Sequence, residues 1–197
     1  MKKQNTTQNV DFPSLAILRQ ELKRERYKRR FRRLLRSTVN ALIVVAAVAA
    51  LIATLVLPVL QIAGTSMEPS LNDGDIVVLV KTGQIETGDL CAFYFSNKIL
   101  IKRIIAVPGD YLWISKDGTV YLNNIELDEP YVSKKALGEC DIEFPYQVPE
   151  NHYFMMGDQR ETSIDSRSSV IGSIAEDQII GKILFKVWPL SELAWLD

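Results

Sequence analysis

One uninterrupted apolar stretch constrains the fold of this 197-residue chain more than any other feature. Residues 41–57 (ALIVVAAVAALIATLVL) contain a single polar residue, Thr54, and residues 58–60 extend the stretch to 20 positions. About 20 apolar residues in a helix cross the roughly 30 Å hydrocarbon core of a bilayer, whereas a buried core helix is shorter or polar on one face. The stretch therefore predicts a transmembrane helix.

Charge is distributed unevenly on the two sides of this stretch. Residues 1–37 contain 12 Lys and Arg against three Asp and Glu, a net charge of +9, whereas the remaining 160 residues carry a net charge of −10. By the positive-inside rule, the basic flank keeps the N-terminus in the cytoplasm and places the C-terminal body outside. The acidic body also argues against nucleic-acid binding. We therefore expect a protein that crosses the cell membrane once.

A cleavable signal peptide is the alternative interpretation of the N-terminal region. Such a peptide has a short basic region and an apolar core of about 7–15 residues, and both segments are longer here. We therefore interpret residues 38–60 as an uncleaved signal anchor. Residues 13–36 are expected to form either a basic helix on anionic lipid headgroups or a solvated arm that only sets the topology.

Residues 61–197 are predicted to form a mainly β domain outside the membrane. Short runs rich in β-branched and aromatic residues alternate there with Gly, Asp, Asn and Pro turns. The clearest runs are 76–80, 90–95, 99–107, 111–115, 119–122 and 178–188. We expect a folded antiparallel sheet or a small barrel. The predicted organisation is a basic cytoplasmic segment (1–37), the anchor (38–60) and this extracytoplasmic domain (61–197).

Ser66 is the first candidate for chemistry, in the segment GTSMEPS. Gly64 leaves room for the backbone of a substrate, and Pro69 stiffens the turn. Ser66 follows the apolar stretch by only six residues, so we expect it close to the bilayer surface. The alternative is that Ser66 is an ordinary turn residue.

Lys102 is the second candidate, because it interrupts the apolar run ILIKRIIAV. On a strand, its side chain shares a face with Leu100 and Ile104. Burial disfavours the ammonium form and lowers the pKa of a lysine, and a neutral amine can accept the proton of a serine hydroxyl. The alternative is a lysine on an edge strand whose ammonium group reaches water.

A polar loop, residues 156–167 (MGDQRETSIDSR), supplies the third candidate group. Asp165 and Arg167 are two positions apart and could form a salt bridge that makes the loop rigid. Ser163 could donate or accept a hydrogen bond that orients a buried amine. The alternative is a solvent-exposed loop with surface ion pairs.

The remaining reactive side chains form no comparable pattern. Cys91 and Cys140 are isolated and lack metal-ligand spacing, and we favour a buried free thiol for Cys91 over a disulfide. A single histidine, His152, is too few for a histidine-based metal site or a charge-relay triad. With no glycine-rich phosphate loop either, we expect neither a metal nor another cofactor. Trp188 is expected in the core, and Trp195 either in the core or at the membrane interface.

The three candidate segments together form a family signature. GTSMEPSL, KRIIAVPGD and MGDQRETSIDSR, in this order after one apolar span, closely resemble the motifs of the bacterial type I signal peptidases, and the short body is similar to the Gram-positive type. The resemblance covers roughly residues 38–190. It implies a membrane-bound serine endopeptidase that removes N-terminal signal peptides from exported preproteins beside the secretion translocase, without a cofactor.

The resemblance also implies a role for each matching residue. Ser66 matches the nucleophile that forms an acyl-enzyme, and Lys102 matches the general base. Ser163 matches the serine that hydrogen-bonds this lysine. Asp165 and Arg167 match a structural pair.

The same resemblance bears on substrate binding and on the oxyanion. The Ser66 N–H would supply one oxyanion donor. Gly64 stands where some family members carry a hydroxyl residue that supplies the second donor, so the second donor stays open here. The signal peptide, with small residues at its cleavage site, would add as a strand to a sheet edge. The segment 61–63 is the candidate edge.

Two other functions remain as alternatives. A self-cleaving Ser-Lys protein similar to the stress-response repressors would carry a DNA-binding N-terminus where this chain has its apolar span. A non-catalytic anchored β domain that binds peptides would not require Ser66 and Lys102 to converge. The distance between these two side chains therefore separates catalysis from simple binding.

Overall fold

The computed structural model of the protein describes residues 15–56, 58–81 and 83–196. These residues form one α-helix, two short 3₁₀ helices and twelve β-strands. By internal contacts the chain divides into two units, Met1–Ile52 and Ala53–Asp197. The mainly β fold expected for the C-terminal part is confirmed, since its strands form antiparallel sheets.

Helix α1 (Leu15–Val56) is continuous from the basic segment into the apolar one. It contains an 18-residue window with a mean hydropathy of 2.0, so it is long and apolar enough to cross a membrane. Val59 and Leu60 belong to a strand instead, because Pro58 lacks the N–H that a helix interior needs. Of the predicted basic segment, residues 1–14 lie outside the described part of the chain.

The strands are, in chain order, β1 (Val59–Gln61), β2 (Ile76–Val80), β3 (Leu90–Phe95), β4 (Lys98–Ala106), β5 (Tyr111–Ile114), β6 (Val120–Leu122), β7 (Ile125–Glu126), β8 (Tyr146–Gln147), β9 (His152–Met156), β10 (Ile174–Ala175), β11 (Ile179–Trp188) and β12 (Ala194–Trp195). Eight of them form one sheet in the order β1-β2-β11-β3-β4-β9-β10, with β12 paired to β11. The other four form a smaller sheet in the order β7-β6-β5-β8. All six strands predicted from the sequence are present.

Buried apolar side chains form separate clusters, one of which is shared by the two sheets. The smaller sheet packs Leu112, Ile114 and Val120 against buried residues of β4 and β9. A second cluster joins β2, β3 and β11 to the segment after β1 through Met67 and Leu71. Strand β4 contributes buried residues to the first of these clusters. It also pairs with β3 on one side and with β9 on the other. The side chains of β4 are therefore held in a rigid setting.

Two sequence expectations differ from the structure. The prediction leaves out the short strands β7, β8, β10 and β12. It also leaves out β9, although this strand lies inside the larger sheet between β4 and β10. The expectation that Trp188 lies in the core is wrong, because its side chain is 51% exposed. Trp188 is the last residue of β11, beyond the positions that the core covers. Trp195 is also exposed and contacts Phe185 edge-on.

Candidate active site

Ser66 lies in the segment that connects β1 to β2, and this segment is held at several points. Gly64 has a φ of +95°, a conformation that other residues rarely adopt and that requires glycine here. Its N–H donates a hydrogen bond to Asp73 Oδ1 at 2.7 Å. Met67, directly after Ser66, is buried in the core. The position of Ser66 is thus fixed from both sides.

Lys102 reaches Ser66 from β4. Its side chain is only 4% exposed, and its Nζ lies 2.7 Å from Ser66 Oγ. This is hydrogen-bond distance, at which a charged amine donates to the hydroxyl and a neutral amine can accept the hydroxyl proton. Lys102 is therefore not the water-exposed edge lysine of the alternative interpretation.

Burial controls the protonation state of this amine. It lowers the pKa of Lys102 from 10.5 to about 8, while Asp165 and Asp158 favour the charged form and Arg167 disfavours it. Cys91 lies opposite Lys102 on β3, and burial raises the pKa of its thiol to about 12, so the thiol adds no charge near pH 8. The neutral form of Lys102 is thus accessible at mildly alkaline pH.

A cleft of about 120 Å³ opens beside the two side chains. One wall consists of residues 60–64, in and after β1, and the other of residues 99–102 on β4. Strand β1 pairs with β2 on one side, and β9 begins to pair with β4 only at Arg103. Within the described parts of the chain, both walls therefore present a strand edge without a partner strand.

Hydrogen bonds show which backbone groups face this cleft. The N–H of Ile62 donates to the backbone carbonyl oxygen of Asp75 on the β2 side. The N–H of Ile104 donates to the backbone carbonyl oxygen of Asp89 on the β3 side. Backbone groups alternate in direction along a strand. Four residues therefore direct their N–H and C=O groups toward the cleft: Gln61, Ala63, Ile99 and Ile101.

The backbone N–H of Ser66 is available as a donor beside the Ser66 hydroxyl. Among the residues that the structure describes, no hydrogen bond uses the Ser66 N–H. The Gly64 N–H is occupied by Asp73, so Gly64 does not supply a second oxyanion donor in this arrangement. One amide next to Ser66 Oγ can thus stabilise negative charge on a substrate oxygen.

The segment of residues 157–167, called the site loop, is largely buried rather than solvent-exposed. Asp165 and Arg167 are both fully buried and form a bidentate ion pair, with Nε–Oδ1 and Nη2–Oδ2 distances of 2.8 Å each. Asp165 Oδ2 also accepts the Gly157 N–H at 2.9 Å. The salt bridge considered from the sequence is therefore present, and it closes the loop on itself.

Ser163 lies in the same loop but makes no side-chain hydrogen bond. Its side chain is 1% exposed, and its Oγ has no partner within the described residues. The hydrogen bond to Lys102 that the resemblance implies is thus not formed here. A Cβ at Gly157 would overlap both Ser163 Oγ and the carbonyl oxygen of Ser66. Gly157 therefore allows the site loop to approach Ser66 closely.

The site loop takes part in two further buried ion pairs that the sequence does not predict. Arg103 binds both carboxylate oxygens of Asp158, at 2.9 and 2.7 Å. Arg160 binds both oxygens of Glu129, at 3.1 and 2.5 Å. The unusual position of Arg103 in an apolar strand was a signal that it needs a partner. Glu129 is 31 residues from Arg160, and no local pattern links them.

The other candidate groups lie outside this arrangement. Cys91 and Cys140 are both free thiols, and Cys91 is buried as favoured from the sequence. His152 Nδ1 lies 2.9 Å from the carbonyl oxygen of Glu150 in its own turn. No group of three or more His, Cys, Asp or Glu side chains in the described ranges could hold a metal ion.

Comparisons with known proteins show which family the chain resembles. The family model of signal peptidase, peptidase S26, matches residues 35–188. Signal peptidase IB of Staphylococcus aureus (strain MRSA252) is 38% identical over 155 residues, which cover 68% of this chain and 79% of that protein. Signal peptidase I of Bacillus licheniformis is 36% identical over 149 residues, 69% of this chain and 79% of its own length. The solved structure of a signal peptidase I from Enterococcus faecalis V583 aligns with a TM-score of 0.43 at 25% identity, over 51% of this chain and 97% of that one.

Proposed function

Since the chain belongs to the signal peptidase family, peptidase S26, we propose that it removes N-terminal signal peptides from exported preproteins through a Ser66–Lys102 dyad. The observation that carries this proposal is the 2.7 Å distance between Lys102 Nζ and Ser66 Oγ in a buried setting. A serine nucleophile needs a base within hydrogen-bond reach, and a desolvated lysine can be that base.

The reaction proceeds through an acyl-enzyme. Neutral Lys102 accepts the Ser66 proton while Ser66 Oγ attacks the carbonyl carbon at the cleavage site, and the Ser66 N–H stabilises the resulting oxyanion. The ammonium group of Lys102 then protonates the leaving amine of the mature protein, and the C–N bond breaks. Lys102, again neutral, takes a proton from water as the water attacks the ester. The ammonium group then returns this proton to Ser66 Oγ as the C–O bond breaks, which releases the signal peptide and restores Ser66 and neutral Lys102.

The cleft accepts the substrate as an extended strand between β1 and β4. Gln61 and Ala63 on one wall, and Ile99 and Ile101 on the other, offer backbone hydrogen bonds from both sides. This extends the strand addition at residues 61–63 expected from the sequence. The cleft volume of about 120 Å³ favours small side chains, which matches an A-x-A-like cleavage site.

Helix α1 anchors the enzyme in the lipid bilayer. A basic half followed by an apolar window supports, by the positive-inside rule, an N-terminus in the cytoplasm and a β domain outside. Preproteins reach that side as they leave the secretion translocase, beside which the enzyme works. The organisation is thus a cytoplasmic segment, one anchor and an extracytoplasmic peptidase domain.

Direct digestion tests this function. The purified full chain in detergent is incubated with a preprotein that carries an A-x-A site and with the same preprotein in which both alanines are replaced by bulky residues. We expect a single new N-terminus directly after the small-residue site in the first substrate alone, as read by mass spectrometry. Cleavage at unrelated sites, or no cleavage of a panel of preproteins, would contradict the proposal.

The pH dependence of cleavage reports the state of Lys102. Because the pKa of Lys102 is lowered to about 8 and only the neutral amine acts as a base, kcat/KM should rise about ten-fold per pH unit below pH 8 and level off above it. The measurement is a kcat/KM profile from pH 6 to 10, with circular dichroism at each pH to show that the fold is unchanged. A profile that is flat between pH 6 and 9 would exclude Lys102 as the base.

A further inference from the structure

A segment between β7 and β8, residues 129–138, runs along the site loop, and we call it the strap. Its first contact is the ion pair between Glu129 and Arg160, whose side chains are both completely shielded from solvent. Arg160 Nε also donates to the carbonyl oxygen of Gly157 at 3.1 Å. Glu129 therefore acts, through Arg160, on the residue at which the site loop begins.

The second contact of the strap is made by Tyr131. Its ring lies 3.9 Å from the guanidinium carbon of Arg103, a cation–π contact. Its hydroxyl donates to Glu129 Oε1 at 3.3 Å. Arg103 in turn holds Asp158 of the site loop and donates to Ser70 Oγ at 3.0 Å. Tyr131 thus supports the arginine that joins the Ser66 segment to the site loop.

The third contact involves Arg167. Its Nη1 donates to the carbonyl oxygen of Leu137 at 2.7 Å and to that of Ala136 at 3.3 Å. Gly138 has a φ of +63°, and a Cβ at this position would overlap the Arg160 carbonyl oxygen and approach Arg167 Nη1 to 2.8 Å. The end of the strap is therefore pressed directly against the site loop.

The strap thus contacts three arginines, and each of them holds part of the catalytic surroundings. Arg103 binds Asp158, Arg160 binds Gly157, and Arg167 binds Asp165. Three buried guanidinium groups are costly to desolvate unless each is fully paired. Their convergence on one ten-residue segment indicates a function beyond covering the core.

We propose that the strap holds the site loop closed over Lys102 through these three arginines, and that Glu129 is its principal positioning residue. This inference rests on the proposed Ser66–Lys102 dyad and adds a second segment on which the dyad depends. Glu129 contacts neither Ser66 nor Lys102, and it acts by keeping the site loop ordered. Water is thereby excluded from the amine of Lys102.

The test is the pH profile of Glu129→Gln in the full chain. The introduced amide keeps the shape of the side chain but lacks the charge that pairs with Arg160, so the site loop opens and water reaches Lys102. Desolvation is the main cause of the lowered lysine pKa, and the charges facing the amine are Asp158, Asp165 and Arg167, with the neutral Cys91 thiol opposite. We expect the midpoint of the kcat/KM profile to rise by about one pH unit, a loss of roughly ten-fold at pH 7 that is recovered near pH 10.

A matched control comes from the same segment. Lys134 of the strap forms a salt bridge with Glu161, but both side chains are more than half exposed. Lys134→Gln should therefore leave the midpoint and the activity at pH 7 unchanged. If Glu129→Gln does not fold, Tyr131→Leu replaces it, because it removes the ring beside Arg103 without leaving a charge unpaired. Its midpoint should shift in the same direction by a smaller amount.

Three outcomes are distinguishable. A raised midpoint with a nearly unchanged plateau supports the positioning role of Glu129. A lower melting temperature with an unchanged midpoint, in both Glu129→Gln and Tyr131→Leu, shows a purely structural strap and overturns the inference while the dyad stands. Wild-type cleavage by Ser66→Ala would remove the dyad itself, and the role of the strap in it would fall as well.

Discussion

Replacing Ser66 with alanine, or Lys102 with methionine, is expected to abolish preprotein cleavage while the fold is retained. Ser66→Ala removes the atom proposed to form the acyl-enzyme, and Lys102→Met removes the amine 2.7 Å from it. Loss of one member of a nucleophile–base pair lowers kcat by roughly 10⁴-fold or more. The assay is single-turnover cleavage in detergent with enzyme in excess over preprotein.

Two further lysine variants sharpen this prediction. Lys102→Arg keeps a positive charge in place but cannot become neutral near pH 8, so it should be as inactive as Lys102→Met. Lys98→Met changes an exposed lysine on the same strand and should keep wild-type activity. Activity in Lys102→Arg would show that the charge, and not proton transfer, is what the reaction needs.

Asp165→Ala is expected to cause the largest loss of stability. Arg167 would keep its bonds to backbone carbonyls but lose the carboxylate that pairs with it inside the protein. Removing one partner of a buried ion pair costs about 3–5 kcal/mol of unfolding free energy. The Gly157 N–H would lose its acceptor as well, so activity should fall together with stability.

Tryptophan fluorescence during urea unfolding measures this loss. All three tryptophans, Trp113, Trp188 and Trp195, belong to the β part of the chain, so the signal reports the unit that holds the ion pair. Glu161→Ala removes an exposed carboxylate from the same loop and should change the free energy of unfolding by less than about 0.5 kcal/mol. Equal unfolding free energies for the two variants would show that the buried pair adds nothing to stability.

The strands that the sequence predicts are those whose signal is local. Val, Ile and aromatic residues between Gly, Asp and Asn turns identify β2 to β4 and β11 without knowledge of any partner. Strand β9 carries a similar signal, the apolar run 153–156 after a Pro-Glu-Asn turn, and was overlooked. The prediction for Trp188 is wrong because hydrophobicity alone does not show that a strand extends beyond the core.

The proposed active site depends on contacts that are distant in sequence. Ser66 and Lys102 are 36 positions apart, and only the resemblance of their segments to a family joined them before the fold was known. The pair of Arg103 with Asp158 spans 55 positions. Such pairs follow from sheet order and loop packing, which no periodicity encodes. A charge in an apolar run indicates that a partner exists, but not which residue it is.

The cleft between β1 and β4, where the described part of the chain has no strand, has a consequence for the range of proteins that this enzyme can cleave. Every peptide, whatever its sequence, carries the same repeating amide donors and carbonyl acceptors. Backbone pairing with the two strand edges therefore selects for an extended conformation and not for a particular sequence. Discrimination then falls on the few side chains that must enter a shallow cavity. We therefore expect many substrates with unrelated sequences. They should be selected chiefly by whether an extended stretch of small residues is available at the membrane surface.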